Sequence, residues 1–511
     1  MVKAVQAEES ISEYFDGLLK NRVQAEVGLI VGKPSVGSRD LALAVVPTTS
    51  QDGEQVLIIS QGSAASAAKA KKAGPKVKSN EPAVSIDLES ELIAEHALQA
   101  SRMLPGGLAV LGLYLFAPES GYNSASSQLC STLAAIAADS SSSSMLSASK
   151  EAAAAAAALT AEVSGISAPS AVGSVAGPQE LLLLHVDSSS RKFTMRSCQV
   201  NSAATAASTL KPTELKFGPS LSSLVCLRCS HSFDFSFPAS SSQEQLLQQA
   251  VAAESARVTA AVAALDGKVP ASSSQPLTEL LPASAGSGAA DATRVELLCL
   301  PHAAAALRSP GAAAGKVGSS SSNVLGSCRL HGTVESLAYV HKRDPVGKAL
   351  HDLKSDVINS LAARLQLLED DAAAAADEAK QDAAGAAAHP LLAAGAGKRS
   401  RVGLARRVLL PCSSLGLQVC DYLSEADGAE AALEQAQQQL QLTGLQASQV
   451  LELEAPAAKK PKIVAGTAMS EVAAGAAGSG GASCSAAVLG AAAAGVVAAL
   501  AVGMAYVNLG Q

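Results

Sequence analysis

The 511-residue sequence predicts an α+β fold, and three features carry that expectation. Short apolar runs closed by glycine or proline, at 27–32 and 108–116, have the length and composition of buried strands. Phe233, Phe235 and Phe237 alternate with Asp234 and Ser236, the period of a half-buried strand. From Asp344 onward, Val346, Leu350, Leu353, Val357, Leu361, Leu365 and Leu368 keep one apolar stripe at helical spacing.

In chain order, 27–32 and 40–46 form a first strand pair. A helix is expected from Ile86, because Ile86, Leu92, Ile93, Ala97, Ala100 and Leu104 recur near helical spacing, and Pro105-Gly106-Gly107 stops it. The run 108–116 is almost wholly apolar, hence a strand covered on both faces, and a helix over 126–138 follows it. Residues 180–186 and 192–200 read as a hairpin across the polar turn 187–191. Next come a strand over 220–237, a helix over 243–265, and strands over 294–300 and 328–340. After the helix opened by Asp344-Pro345, strands at 407–410 and 415–422 and a Gln-rich helix at 425–442 end the patterned sequence.

Between these elements lie stretches rich in Ala, Ser and Gly, at about 60–83, 139–178, 265–292, 303–323, 371–400 and 455–483. They hold too few large apolar groups to offset the entropy of ordering and read as loops and linkers. The remaining patterned sequence, roughly 310 residues, suits two domains. The first spans 1–138 and carries the loop 60–83. The second spans 179–370 and is completed by the strand pair and helix of 401–454, with 139–178 an insert and 371–400 and 455–483 linkers.

A net charge of −7, with 16% charged residues, excludes general binding to a phosphate backbone, so nucleic acid is not expected as a partner. Nine cysteines without disulfide-framework spacing point to a reducing environment. Residues 1–20 carry Glu8, Glu9, Glu13 and Asp16 and have no secretory signal. At the other end, 486–507 is uncharged over 22 residues, where a bilayer crossing takes ~20, and predicts one C-terminal transmembrane helix. Lys459, Lys460 and Lys462 precede it and keep the bulk of the chain cytosolic. The alternative is a soluble interaction scaffold whose Ala/Gly-rich tail does not insert.

Catalytic patterns are sparse. Three glycine–lysine stretches, 28–33, 311–316 and 395–398, lack the spacing of a phosphate-binding loop, and there is no Gly-x-Ser-x-Gly elbow. Cys226, Cys229 and His231, with Cys328 and His331, offer a thiolate and imidazole set to zinc, and the alternative reading is a cryptic zinc hydrolase. Strand geometry opposes it, since residues three apart point to opposite faces; packed apolar cysteines are the simpler reading. His96, near Glu95 and Gln99, is expected to be partly exposed and hydrogen-bonded; His185, His302, His341, His351 and His389 are expected at the surface. No catalytic, cofactor-binding or metal-ligating residue is assigned, and no cofactor is expected.

The run His96-Ala97-Leu98-Gln99-Ala100-Ser101-Arg102-Met103-Leu104-Pro105-Gly106-Gly107-Leu108-Ala109-Val110-Leu111-Gly112 resembles the signature of the odorant response abnormal protein 4 family. Further similarity covers 28–32, 221–238, 344–369, 408–422 and the C-terminal span, and skips the Ala/Ser inserts. The resemblance implies a non-enzymatic, tail-anchored, single-pass protein of the endoplasmic reticulum membrane. It would assist localisation or trafficking of membrane-protein clients, G-protein-coupled receptors among them in animals. It further implies recruitment of a ufmylation protease.

The first stretch of about 120 residues also resembles an MPN domain, with 28–32 as its first-strand motif and 110–118 as the strand that would end at the metal. Where the metalloprotease form has His-x-His-Pro, this chain has Tyr114-Leu115-Phe116-Ala117-Pro118, and Glu26 stands one residue out of register. The resemblance therefore implies a metal-free MPN-like domain that pairs as a heterodimer with an MPN-containing ufmylation protease.

Overall fold

The chain opens with elements that the sequence reading did not anticipate: β1 (Ala4–Ala7) and α1 (Glu9–Lys20), an amphipathic helix that buries Ile11, Phe15 and Leu18. The computed structural model describes residues 4–34, 39–50, 55–61, 84–142, 179–200, 210–238, 243–282, 284–288, 291–299, 327–382, 404–413, 415–424 and 427–454. One unit, Met1–Gly466, holds all of them.

The expected first strand pair is β2 (Glu26–Lys33) and β3 (Arg39–Pro47), antiparallel, with a bulge at Val31/Gly32. Next come β4 (Leu57–Gln61), β5 (Val84–Leu88), α2 (Ser90–Arg102), β6 (Ala109–Ala117) and α3 (Glu119–Ser142). The helix expected from Ile86 thus starts at Ser90, and Ile86 lies on a strand. Val84, Ile86 and Leu88 alternate with polar residues, a period of two that outweighs the helical spacing read there. One edge of β5 pairs with β4. Its backbone N–H groups at Val84, Ile86 and Leu88 donate instead to Ser120 Oγ, Ser124 Oγ and Gln128 Oε1 at 3.3, 2.9 and 3.2 Å. Those three acceptors stand four residues apart on one face of α3, so the helix serves as a substitute strand.

The hairpin beyond the 139–178 insert is β7 (Gln179–Asp187) and β8 (Phe193–Val200), followed by β9 (Leu210–Pro212) and β10 (Glu214–Phe217). These join the earlier strands in one eight-stranded sheet of order β10-β1-β3-β2-β6-β7-β8-β9. The boundary expected at 138 therefore divides a single sheet, because β7 pairs in parallel with β6. Gly112 permits that pairing: a Cβ there would lie 1.9 Å from the Leu182 carbonyl oxygen. β6 is covered on both faces, as its composition predicts. Leu113 and Leu115 join the core under α2 and α3; Tyr114 and Phe116 join the core under α1.

A four-stranded sheet follows, formed by β11 (Leu224–Pro238), β12 (Val262–Leu265), β13 (Thr293–Leu298) and β14 (Ser327–His341), in the order β12-β13-β11-β14. The helix expected over 243–265 ends sooner, as α4 (Gln243–Ala260), and its last residues form β12. The stripe from Asp344 becomes α5 (Val346–Asp382), which runs into the Ala-rich segment expected as a linker. Alanine propensity extends the helix without needing burial. Within 265–292, expected as a loop, Leu277 and Leu280 are buried and Gly286 O accepts from Cys226 N at 2.8 Å. Finally β15 (Arg406–Cys412), β16 (Leu417–Leu423), α6 (Ala429–Leu440) and β17 (Leu451–Glu452) form a three-stranded sheet with one helix. Among the described residues no helix is long and apolar enough to cross a membrane; the expected anchor at 486–507 lies outside them.

Candidate functional site

The Pro105-Gly106-Gly107 turn at the end of α2 is where the eight-stranded sheet meets the rest of the molecule. Gly106 N donates to Leu337 O at 2.9 Å, and Tyr339 N donates to Gly106 O at 2.8 Å, so the turn pairs with β14 as a one-residue strand. A Cβ at Gly106 would come within 2.5 Å of Asp352 O. Gly107 has φ +79°, a left-handed conformation, and a Cβ there would lie 2.3 Å from Tyr339 O. Met103 O accepts from Cys420 N at 2.8 Å, which ties the same turn to β16.

Charges are buried around this turn. Lys33, 2% exposed on β2, donates to Asp352 Oδ2 at 2.9 Å and to Tyr339 O at 3.2 Å, and lies 3.6 Å from Asp344. Arg407 grips Asp356 with two nitrogens, at 2.5 and 3.0 Å, and Arg364 donates to Glu454. The carboxylates do more than pair. Along the outer edge of β14, Glu335 N donates to Glu454 Oε1 at 2.9 Å and Leu337 N to Asp356 Oδ2 at 3.0 Å, and Tyr339 N meets Gly106. Three successive outward donors of an edge strand are thereby satisfied, and that edge offers them to no other strand. Two separate demands, a buried cation and an unpaired N–H, explain why acids sit in the core here.

His96 corrects its expectation. It is buried, and Glu95 and Gln99 bond to each other rather than to it. Its Nε2–H donates to Gln439 O at 2.7 Å and its Nδ1 accepts from Thr48 Oγ1 at 2.8 Å, a neutral tautomer that fastens α2 to α6. Burial pushes its pKa down, although the Gln439 carbonyl acts in the opposite direction. His185 is likewise buried, stacked on Tyr122 at 4.3 Å with Nε2 donating to Ala117 O. His341 is half-buried, His351 is exposed, and His302 and His389 lie outside the described residues.

The zinc set is dispersed. Cys226 pairs with Tyr339 across the β11–β14 ladder and Cys328 with Phe237, eleven positions along it, or about 36 Å at ~3.3 Å per residue, against ~2.3 Å for a zinc–sulfur bond. Cys226 and Cys229 join different cores on opposite faces. His231 bonds to Glu254, and His331 is exposed opposite Asp234. Among the described residues no group of three or more His, Cys, Asp or Glu is arranged for a metal ion.

At the end of β6, the two positions where the metalloprotease resemblance would place imidazoles, counted back from Pro118, hold Leu115 and Ala117, both buried in the core under α2 and α3; on the opposite face Tyr114 and Phe116 pack with Phe15. Glu26 Oε1 accepts from both Tyr14 and Tyr114 hydroxyls at 2.7 Å. Burial raises both tyrosine pKa values, so these hydroxyls stay protonated donors to Glu26 Oε1. The recess over α2, lined by Thr48, Leu92, Glu95, His96, Gln99 and Gln438 among others, has room for no more than about one water. The arrangement is a packed junction.

Sequence reasoning found the turn through its glycines but passed over Lys33, Asp356, Arg364, Arg407 and Glu454. The available signal was weak: Arg407 precedes an apolar strand, and Asp356 and Arg364 interrupt an apolar helix without matching its polar face.

The chain was compared with known proteins. Residues 28–449 match the sequence profile of the odorant response abnormal 4-like family. "Protein odr-4 homolog" of Xenopus tropicalis is 22% identical over 436 residues, covering 83% of this chain and 80% of that protein. The human "Protein odr-4 homolog" is 24% identical over 351 residues, 67% of each chain. Among solved structures, "UfSP from C.elegans" aligns with a TM-score of 0.36 and 8% identity, over 88% of this chain and 58%, under two thirds, of that one. By the profile match, which takes in the glycine turn and the Lys33–Asp352 and Arg407–Asp356 pairs around it, the chain belongs to the odorant response abnormal 4-like family.

Proposed function

We propose that the protein is a non-enzymatic adaptor, tail-anchored in the endoplasmic reticulum membrane through 486–507, that assists localisation or trafficking of other membrane proteins and recruits a ufmylation protease. The observation that carries this reading is the family match over residues 28–449. The uncharged 22-residue tail behind Lys459, Lys460 and Lys462 supports the anchor and the cytosolic placement of the bulk. Buried Leu115 and Ala117 at the two imidazole positions, with Glu26 held by two tyrosines, support a metal-free MPN-like unit that serves as a binding body. Its partner in this reading is a second MPN domain, carried by the protease, and the pair is a heterodimer.

The anchor is tested by alkaline carbonate extraction of membranes from cells that make the full chain or a chain truncated after Gly481. The full chain is expected in the pellet and the truncated chain in the supernatant. Both in the supernatant would remove the anchor from the account.

A further inference from the structure

The small sheet of β4 and β5 is closed along one edge only. β5 turns Val84 N, Ile86 N and Leu88 N toward α3, so Ser85 and Asp87 are the residues whose backbone groups face β4. Their ladder partners, Ser60 and Ile58, therefore point N–H and C=O inward, as Val56 does in accepting from Glu89 N at 3.0 Å. Leu57, Ile59 and Gln61 point theirs outward. Among the described residues β4 pairs with β5 alone, and none of these three outward N–H groups has a partner. Other edges are closed by groups brought to them: β5 by α3, β14 from Glu335 to Tyr339 by Glu454, Asp356 and Gly106, and β16 by Tyr339 Oη and Met103 O, which accept from Gln418 N and Cys420 N at 3.0 and 2.8 Å.

The side chains mark the same gap. Leu57 and Ile59 lie on the face of the ladder that carries Ile86 and Leu88, yet those two are 3% and 6% exposed while Leu57 and Ile59 are only half-buried. On the opposite face Ile58 is 48% exposed. The strand Leu57–Gln61 contains no lysine, no proline and no charge, the devices that keep an edge from pairing with another chain.

We infer that the outer edge of β4 pairs antiparallel with β4 of a second copy of this chain, about a twofold axis at Ile59, to make one continuous sheet of order β5-β4-β4-β5.

Register selects this occupant. The outward positions 57, 59 and 61 are symmetric about Ile59, so an antiparallel copy sets Ile59 opposite Ile59 and Leu57 opposite Gln61, and every outward N–H of both strands meets an outward carbonyl. A slip of one residue would set outward groups against inward ones and lose the ladder. Charge agrees. In the sequence the chain enters β4 past Asp52 and Glu54 and leaves it toward Lys69, Lys71 and Lys72, and the antiparallel arrangement sets the entry of one copy beside the exit of the other. A ladder of five residues falls short of the ~1,000 Å² of a stable interface, so the dimer is weak and concentration-dependent. The inference does not rest on the adaptor reading.

The test uses the purified full chain in detergent micelles, by sedimentation over a range of concentrations and by disulfide cross-linking under mild oxidation. The sedimenting mass is expected to rise toward a dimer with concentration. Ile59→Cys is expected to give a linked dimer above the level of the unsubstituted chain, because directly opposed residues stand ~5.5 Å apart between Cα atoms, within the ~4.4–6.8 Å that a disulfide spans. Leu57→Cys is expected to stay at the unsubstituted level, its two copies being four positions or ~13 Å apart, and Leu57→Cys mixed with Gln61→Cys is expected to cross-link. Ile59→Pro removes an outward donor, leaves the bonds to β5, and is expected to weaken association about tenfold or more. Equal cross-linking at 57 and 59 overturns the inference, since association through any other surface would give that, and so does a chain that stays monomeric. In such a monomer, slow amide exchange at Leu57 and Ile59 would assign the edge to a segment of the same chain, and fast exchange would leave it to a strand of another protein. Should Ile59→Pro not fold, the cysteine series decides alone.

Discussion

Replacing Gly107 with alanine tests whether the glycine turn holds the molecule together. An L-residue at φ +79° costs ~1–2 kcal/mol. The added Cβ would also sit 2.3 Å from Tyr339 O, a backbone atom that cannot swing aside without giving up its bond from Lys33 Nζ, and a hydrogen bond to a charged group is worth ~1.5–3 kcal/mol. Alanine returns ~0.4–1 kcal/mol by restricting the unfolded chain. The net expectation is a loss of about 2–4 kcal/mol, a large share of a typical ~5–15 kcal/mol. Gly444→Ala supplies the control: its φ is +78°, and nothing lies within 4 Å of the added Cβ, so it is expected to cost about 1 kcal/mol or less. Urea unfolding of the two variants, followed by far-UV circular dichroism and tyrosine fluorescence in a protein without tryptophan, reads the difference at constant slope. Equal losses at the two positions would refute the reasoning, because only Gly107 meets another chain segment.

Arg407→Met is expected to cost ~3–5 kcal/mol by leaving Asp356 buried without its cation, and Arg407→Met with Asp356→Leu to cost less than the two singles together, measured by the same unfolding curves. His96 contributes a pH dependence of definite sign. Its folded pKa lies below the unfolded ~6.5, so the unfolded chain binds the extra proton and stability is full above that value and lost as pH falls below it. His96→Gln is expected to lose less stability than the parent between neutral pH and pH 5; an equal loss would assign the dependence to other groups. Replacing Ser124 and Gln128 of α3 with alanine strips two acceptors from β5, and faster amide exchange at Ile86 and Leu88 is the expected readout.

Strong local patterns were legible. The β2–β3 pair, β6, the β7–β8 hairpin and the stripe of α5 follow from apolar runs and periodicity that no tertiary contact overrides. What the sequence hid is non-local. β5 is a strand because β4 and the serines of α3 receive it, and Val84, Ile86 and Leu88 continue into residues that are helical. The eight-stranded sheet closes across an insert, which reads as a domain boundary when only neighbouring segments are considered. The junction was half legible: Gly106 and Gly107 announced a turn, whereas Asp356 and Glu454 take their roles from β14, distant in sequence, whose edge donors they satisfy. His96 was placed beside Glu95 and Gln99 because those are its helical neighbours, while its partners lie on other elements.

The adaptor role is tested most directly by affinity capture of the full chain from gently solubilised endoplasmic reticulum membranes, beside the chain truncated after Gly481. The account predicts that the full chain brings down a ufmylation protease or receptor-like membrane clients and that the truncated chain loses the membrane. Capture of the same proteins by both chains, with both soluble, would contradict it.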